Sequence, residues 1–190
     1  MNAAATMERI ADASWALKAR IAGAFNLLAM LMGIFASFVA HGRSSFVAEL
    51  IAGACNIPVT LLLYDIFSPV NRILASLAAF FGLVVSTIGA LQWHPRGVNI
   101  GLMALAFYCL LIGYLIFRSN FLPRILSVLM ALAGLAWLTL LSTPLAHNLS
   151  PYNLAAGVLG QAALTLWLLV MGVNVQRWKE QASAAAERRS

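Results

Sequence analysis

The sequence predicts an all-α polytopic membrane protein, a bundle of six transmembrane helices, on two observations. First, 62% of its 190 residues are hydrophobic and only 9% are charged, whereas soluble domains contain about 45–50% apolar and about 25% charged residues. Second, the apolar residues gather in six runs of 20 to 22 residues, close to the roughly 20 residues that a helix needs to cross hydrocarbon. The chain has too little charge to cover the surface of a soluble enzyme.

The predicted elements follow the order of these runs. Residues 1–20 form a cytoplasmic, interfacial N-terminal helix, because their apolar residues have near-helical spacing and Trp15 stands beside the first run. The spans are helical because backbone groups in lipid must bond within their own helix, and Gly, Pro, Asn and Ser mark the turns between them. Residues 176–190 form a polar cytoplasmic tail, expected as a short frayed helix. The six spans are 21–40, 46–67, 73–93, 98–117, 125–146 and 154–175.

Most Lys and Arg residues lie on one predicted side of the membrane. The other side has only Arg43 and Arg96. Because cytoplasmic loops are rich in Lys and Arg, both termini are predicted to be cytoplasmic. The basic residues stand singly at the ends of apolar runs, so the net charge of +6 does not indicate a nucleic-acid partner. The cytoplasmic set is Arg9, Lys18, Arg20, Arg72, Arg118, Arg124, Arg177, Lys179, Arg188 and Arg189.

A period of about 52 residues runs through the chain. Arg-Ile pairs begin at Arg20, Arg72 and Arg124, and the histidines are His41, His94 and His147. This spacing suggests three repeated helical hairpins, although six equal spans with short turns would produce a similar period without a repeat. In either case the first, third and fifth spans run outward, so the three histidines are expected at the outer membrane boundary.

Polar residues inside the spans predict which helix faces are buried, because polar groups are costly in lipid. Glu49, Asn56 and Thr60 share one face of the second span with Gly53. We expect such side chains to form hydrogen bonds between helices. The predicted intrabundle polar face comprises Asn26, Glu49, Asn56, Thr60 and Gln161.

The outer boundary holds a candidate metal or catalytic site. His41, His94, His147 and Glu49 offer three imidazoles and a carboxylate, which suit zinc or another divalent metal. A zinc-bound water is a nucleophile near neutral pH, and Glu49 is the catalytic candidate. The chain has no His-Glu-x-x-His motif, however, and boundary histidines also serve as ordinary interface residues. The sequence therefore predicts no cofactor and leaves zinc as an alternative.

Two further features bear on function. Arg72, Arg118 and Arg124 stand at the predicted cytoplasmic boundary, where arginines pair with anionic lipid headgroups or simply set the topology.

Pro58 interrupts the second span beside Asn56. Broken helices mark many carriers, but proline is also tolerated in membrane helices.

Several stretches of the sequence resemble one bacterial membrane family. The most specific are Pro69–Arg72 (PVNR), Gly113–Ser119 (GYLIFRS), Leu122–Leu126 (LPRIL) and Leu166–Leu169 (LWLL). From about Ala19 to Asn174, the chain is similar to the family known as domain of unknown function 4386. The resemblance implies a multi-span protein of the bacterial inner membrane with no assigned activity. This chain has Gln161 where members often have an acid, which disfavours an outer-face active site.

We therefore predict a non-enzymatic, multi-pass bundle of the inner (plasma) membrane that binds a partner protein or a lipid-like ligand within its bundle. A homo-oligomer or a membrane-protein partner is left open. One alternative is a metal-dependent membrane enzyme with an outer-face His/Glu site. Another is a small carrier or proton-coupled channel along the face from Glu49 to Asn56.

Overall fold

The computed structural model describes residues 3–39, 41–91 and 100–187, and the structure is all-helical over these residues. Six long helices and two shorter ones follow one another along the described chain. They are α1 (Ala3–Phe38), α2 (Arg43–Phe67), α3 (Arg72–Leu91), α4 (Ile100–Arg118), α5 (Arg124–Thr139), α6 (Thr143–Leu149), α7 (Tyr152–Val170) and α8 (Val175–Glu187).

The six long helices close into a ring. Each packs on the next along the chain from α1 to α5, α5 packs on α7, and α7 returns to α1. Neighbours run antiparallel: Gly23 of α1 meets Leu169 of α7, and three residues later Asn26 bonds to Thr165. The turns at 68–71, 119–123 and 171–174 therefore share one end of the ring, and α8 follows the last of them. We call this end the basic end and the opposite end the far end.

Packing is densest towards the basic end. Phe67 at the end of α2, Leu115 near the end of α4 and Leu168 near the end of α7 are all at most 1% exposed. Apolar side chains on the outside of the ring stay exposed, including Ile73 at 80% and Val170 at 65%. This is the distribution expected when hydrocarbon surrounds the bundle, since lipid solvates those side chains.

Close backbone contacts at glycines hold α7 between its neighbours. A Cβ atom on Gly160 would collide with the Leu129 carbonyl oxygen and would lie 2.7 Å from Ala133 Cβ in α5. A Cβ atom on Gly23 would lie 2.7 Å from the Leu169 backbone nitrogen. Small residues permit such short distances, which is how helices in lipid gain contact energy.

Five of the described helices are long and apolar enough to cross a membrane: Ser14–Ser37, Arg43–Phe67, Arg72–Gly89, Ile100–Arg118 and Tyr152–Val170. The chain is thus a multi-pass membrane protein by the length and composition of its helices. Helix α5 is apolar but has only 16 residues, about 24 Å of helix against a hydrocarbon thickness of about 30 Å. Six crossings and a threefold repeat are not confirmed.

The predicted fifth span, 125–146, is interrupted. Helix α5 ends at Thr139, and the chain turns before α6 begins at Thr143. The last turn tightens, since Leu140 N–H bonds to Trp137 O and Leu141 N–H to Leu138 O, a spacing of three residues that ends an α-helix. Pro144 then starts the next helix, because proline lacks an N–H group and fits only in the first turn.

The first and last predicted spans also differ from the structure. No helix end separates the predicted interfacial helix, 1–20, from the predicted span, 21–40, since α1 runs unbroken from Ala3 to Phe38. Residues 3–22 contain no Gly or Pro that would end the helix. The sixth span, predicted as 154–175, ends at Val170, where Gly172 adopts a φ of 69°. A left-handed glycine is a common helix terminator, and the predicted tail 176–190 is largely α8.

We expect Gly160→Ala to lower the stability of the folded bundle. The added methyl group would push α7 away from the Leu129 backbone, and overpacking of this kind costs about 1–3 kcal/mol. Thermal unfolding in detergent measures the change. Gly33→Ala is the matched control, because a Cβ atom there would meet nothing within 4 Å; its stability should stay equal or rise slightly. Equal melting temperatures for the two variants would contradict the packing of α7 on α5.

Candidate functional site

Helix α8 lies across the basic end and is anchored to α2 through one indole. Trp178 Nε1 donates a hydrogen bond to the carbonyl oxygen of Ile66, at 2.9 Å. That carbonyl belongs to the last turn of α2, where carbonyl groups lack partners within the helix. Val70 N–H bonds to Phe67 instead of continuing the helical pattern. The indole therefore satisfies a group that the end of α2 leaves open.

A glutamine in α8 holds the turn between α4 and α5. Gln181 accepts a hydrogen bond from Asn120 N–H at 3.2 Å and donates one to the Arg118 carbonyl oxygen at 3.3 Å. Arg177 Nη1 adds a hydrogen bond to the Asn120 carbonyl oxygen at 3.4 Å. One face of α8 thus joins two turns that are distant in the sequence.

An aromatic pair connects α8 to the first helix. The rings of Trp15 and Trp178 lie 4.0 Å apart, and Lys18 Nζ stands 4.1 Å from the Trp15 ring. Lys18 also pairs with Asp65 of α2 at 3.7 Å. Because Trp favours the boundary between hydrocarbon and water, this pair indicates the depth of the bilayer surface at the basic end.

A cleft of about 310 Å³ opens between α8 and the turn that joins α2 to α3. One wall is the α2–α3 turn, where Arg72 supplies the charge, and the other is a row of small residues on α8. The residues lining it are Tyr64, Ser68, Pro69, Arg72, Ala182, Ala185 and Ala186. The volume lies at the lower end of the range of about 300–1,000 Å³ for small-molecule sites.

The three arginines predicted to bind lipid headgroups all lie exposed at the basic end, but in different surroundings. Arg72 begins α3 and lines the cleft. Arg124 begins α5, and its guanidinium carbon lies 5.9 Å from the Phe117 ring. Arg118 ends α4, where Gln181 binds its carbonyl oxygen.

Three of the predicted intrabundle polar residues bond to another helix, at separate places in the bundle. Asn56 of α2 donates to Ser86 Oγ of α3 at 3.1 Å, and Thr60 donates to its own helix at Asn56 O. Asn26 of α1 donates to Thr165 of α7 at 2.7 Å. Another residue of α7, Gln161, donates to Cys109 Sγ of α4 at 3.4 Å. Glu49 is partly exposed in the half of α2 nearer the far end.

The proposed outer metal site is only partly within the described residues. His41 and His147 are exposed at the far end, whereas His94 lies outside the described part of the chain. Over that part, no three His, Cys, Asp or Glu side chains are close enough to hold a metal ion. The metal site therefore stays a prediction from the sequence.

A furrow lies between α2, α3 and α4, next to the predicted transport face. Its lining includes Thr60, Tyr64 and Tyr108, and it has no room for a water molecule. Pro58 is accommodated within α2, which runs unbroken to Phe67. This arrangement offers no aqueous path along the furrow.

Residues 84–172 match the family model described as domain of unknown function (DUF4386). The match confirms the resemblance, over a shorter range than Ala19–Asn174. It runs from within α3 to the end of α7, so the DUF4386 region contains neither Arg72 nor α8. No curated protein and no solved structure shows significant similarity to the chain. The function must therefore be argued from the chain itself.

The contacts of α8 were missed by the sequence reasoning. The tail was predicted as a short, frayed polar helix with no docking partner named, although Trp178 and Gln181 in an otherwise small and charged stretch were a signal of docking. A tryptophan in an otherwise polar, solvated helix usually packs its ring against another part of the protein. Its partners, however, could not be read from spacing.

We expect Trp178→Phe to loosen α8 while leaving the six-helix ring intact. Phenylalanine can still pack on Trp15 but cannot donate to Ile66 O, and a lost hydrogen bond of about 1 kcal/mol corresponds to about fivefold faster opening. Hydrogen exchange of the α8 amides measures this opening. Ser183→Ala, on the exposed face of α8, is the control and should leave exchange unchanged. Unaltered exchange in Trp178→Phe would show that the indole does not anchor the helix.

Proposed function

We propose that this protein is a non-enzymatic membrane bundle that binds an anionic lipid at its basic end, with that end facing the cytoplasm of a bacterial cell. The observation that carries the proposal is the separation of charge between the two ends of the ring. Among the described residues, the exposed arginine of the far end is Arg43, whereas the basic end exposes Arg20, Arg72, Arg118, Arg124 and Arg177.

The physical argument rests on the surface potential of the inner leaflet. Anionic lipids attract basic residues near the membrane surface by about 1 kcal/mol per residue. The arginines of the basic end stand beside exposed apolar side chains, such as Ile73 next to Arg72 and Ile125 next to Arg124. A lipid matches this arrangement better than a soluble partner does, because its headgroup and chains would meet the charge and the apolar surface together.

The other hypotheses receive less support. The furrow in the interior cannot hold a water molecule, which argues against transport through the bundle in this conformation. The hydrogen bonds of Asn26, Asn56 and Gln161 bind helices to one another, so these groups are engaged in packing. No grouped set of three metal-ligating side chains favours metal-dependent catalysis in the described residues.

The proposal predicts selective stabilisation by anionic lipid. Reconstituted protein should melt at a higher temperature in phosphatidylcholine bilayers containing phosphatidylglycerol than in phosphatidylcholine alone, because lipid that binds the folded state stabilises it. The triple variant Arg72→Gln, Arg118→Gln and Arg124→Gln should lose most of that increase. Arg43→Gln, which removes a cation from the far end, is the control and should keep it.

Two outcomes would overturn the proposal. One is a wild-type melting temperature that does not respond to phosphatidylglycerol. The other is an equal loss of the response in Arg43→Gln and in the triple variant, which would indicate a general effect of net charge.

A further inference from the structure

The cleft under α8 differs from the rest of the basic surface because it has walls. Its charged wall comes from the α2–α3 turn and its opposite wall from the alanines at 182, 185 and 186. Two contacts in the preceding part of α8 fix the position of this helix: Trp178 bonds to Ile66 of α2, and Gln181 bonds to the α4–α5 turn. The space therefore results from how α8 docks and is more than a gap between exposed side chains.

Arg72 supplies the charge of this cleft. Its side chain makes no ion pair or hydrogen bond within the described residues, whereas Arg124 stands over the Phe117 ring. The nearest acid along α2, Asp65, pairs with Lys18 at 3.7 Å. The cleft thus has an uncommitted guanidinium, and an arginine in this state recognises phosphate oxygens through its fixed set of donors.

An exposed apolar face of α3 begins next to Arg72. Starting beside Arg72, the residues Ile73, Leu77 and Phe80 of α3 are 80%, 42% and 59% exposed. Their spacing of four and then three residues places them on one helix face. A ligand whose phosphate reaches Arg72 can therefore rest its hydrocarbon on this face, which favours a phospholipid over a free phosphate ion.

We infer that the cleft between α8 and the α2–α3 turn binds the headgroup of one anionic phospholipid, with Arg72 as its cationic ligand. The inference rests on the proposed function and narrows it from a basic surface to one site. The residues that line the cleft do not include Arg118 or Arg124. The alanines of α8 matter for their size, because a larger side chain at position 185 would occupy the headgroup space.

Native mass spectrometry of the full-length protein, released from phosphatidylglycerol-containing micelles, tests this assignment by counting retained lipids. Arg72→Gln should reduce retention of the single tightest lipid by about tenfold or more, as expected for a lost charge-assisted hydrogen bond. Arg43→Gln is the matched control, since both arginines begin a helix and are exposed, and Arg43 lies at the far end. It should retain the lipid at the wild-type level.

A second pair of variants tests the shape of the site without changing charge. Ala185→Leu should block the cleft and reduce retention, whereas Ala184→Leu, on the exposed side of α8, should not. Alanine and leucine have similar helix propensities, so α8 itself should persist in both. Inorganic phosphate added to lipid-free protein should leave the melting temperature unchanged if the ligand is a phospholipid.

The outcomes separate the site from the proposed function. Loss in Arg72→Gln and Ala185→Leu, with retention in both controls, supports the assignment. Loss in Arg72→Gln with full retention in Ala185→Leu overturns the cleft but leaves lipid binding at the basic end. Stabilisation by inorganic phosphate alone overturns the choice of a phospholipid. Absence of any retained lipid in the wild type overturns the site and counts against the proposed function.

Discussion

The bundle depends on the close approach of α7 to the helices on its two sides. In hydrocarbon, a leucine gains little by exchanging lipid for another apolar surface, so short-range contacts and interhelical hydrogen bonds must hold the helices together. Gly157 and Gly160 bring α7 against Trp137 and the Leu129 backbone of α5. On the other side, Gly23 of α1 meets the Leu169 backbone. Because α7 is the last long helix, these contacts close the ring.

Closure of the ring also decides where the last helix lies. Once α7 is fixed, the chain reaches the basic end at Val170 and turns at Gly172, whose φ of 69° suits glycine. Helix α8 then crosses the end of the bundle, where Trp178 finds the open carbonyl of Ile66. A contact between membrane helices thereby positions a surface helix and creates the cleft beneath it.

Two Arg-Ile pairs of this chain begin helices but have different surroundings. Arg72-Ile73 and Arg124-Ile125 both begin a helix after a short turn. Near Arg72 the alanines of α8 form a second wall, whereas Arg124 lies over the Phe117 ring. Polar groups in the interior are used between helices, as Asn56 and Ser86 illustrate. The arginine side chains of the described residues therefore lie at the ends of the ring, and not between the helices.

Much of the architecture could be predicted from local properties. Transfer of apolar residues from water and the need to satisfy backbone groups act on each segment separately, so run length and composition indicated helices that enter lipid. Turn residues likewise located the ends at 68–71 and 119–123. The break after Thr139 was not predicted, because an apolar run does not reveal where its hydrogen bonding tightens. The N-terminal segment was predicted to be helical, and α1 runs from Ala3 through the predicted first span.

The amino-acid sequence by itself determined that this is a helical, lipid-embedded chain with its cations gathered towards one end. Only the tertiary structure decided which of those cations faces a walled cleft. That choice depends on pairs such as Trp178 and Ile66, which are 112 positions apart in the chain. No periodicity encodes such a pair, since its two members meet only after the ring between them has closed.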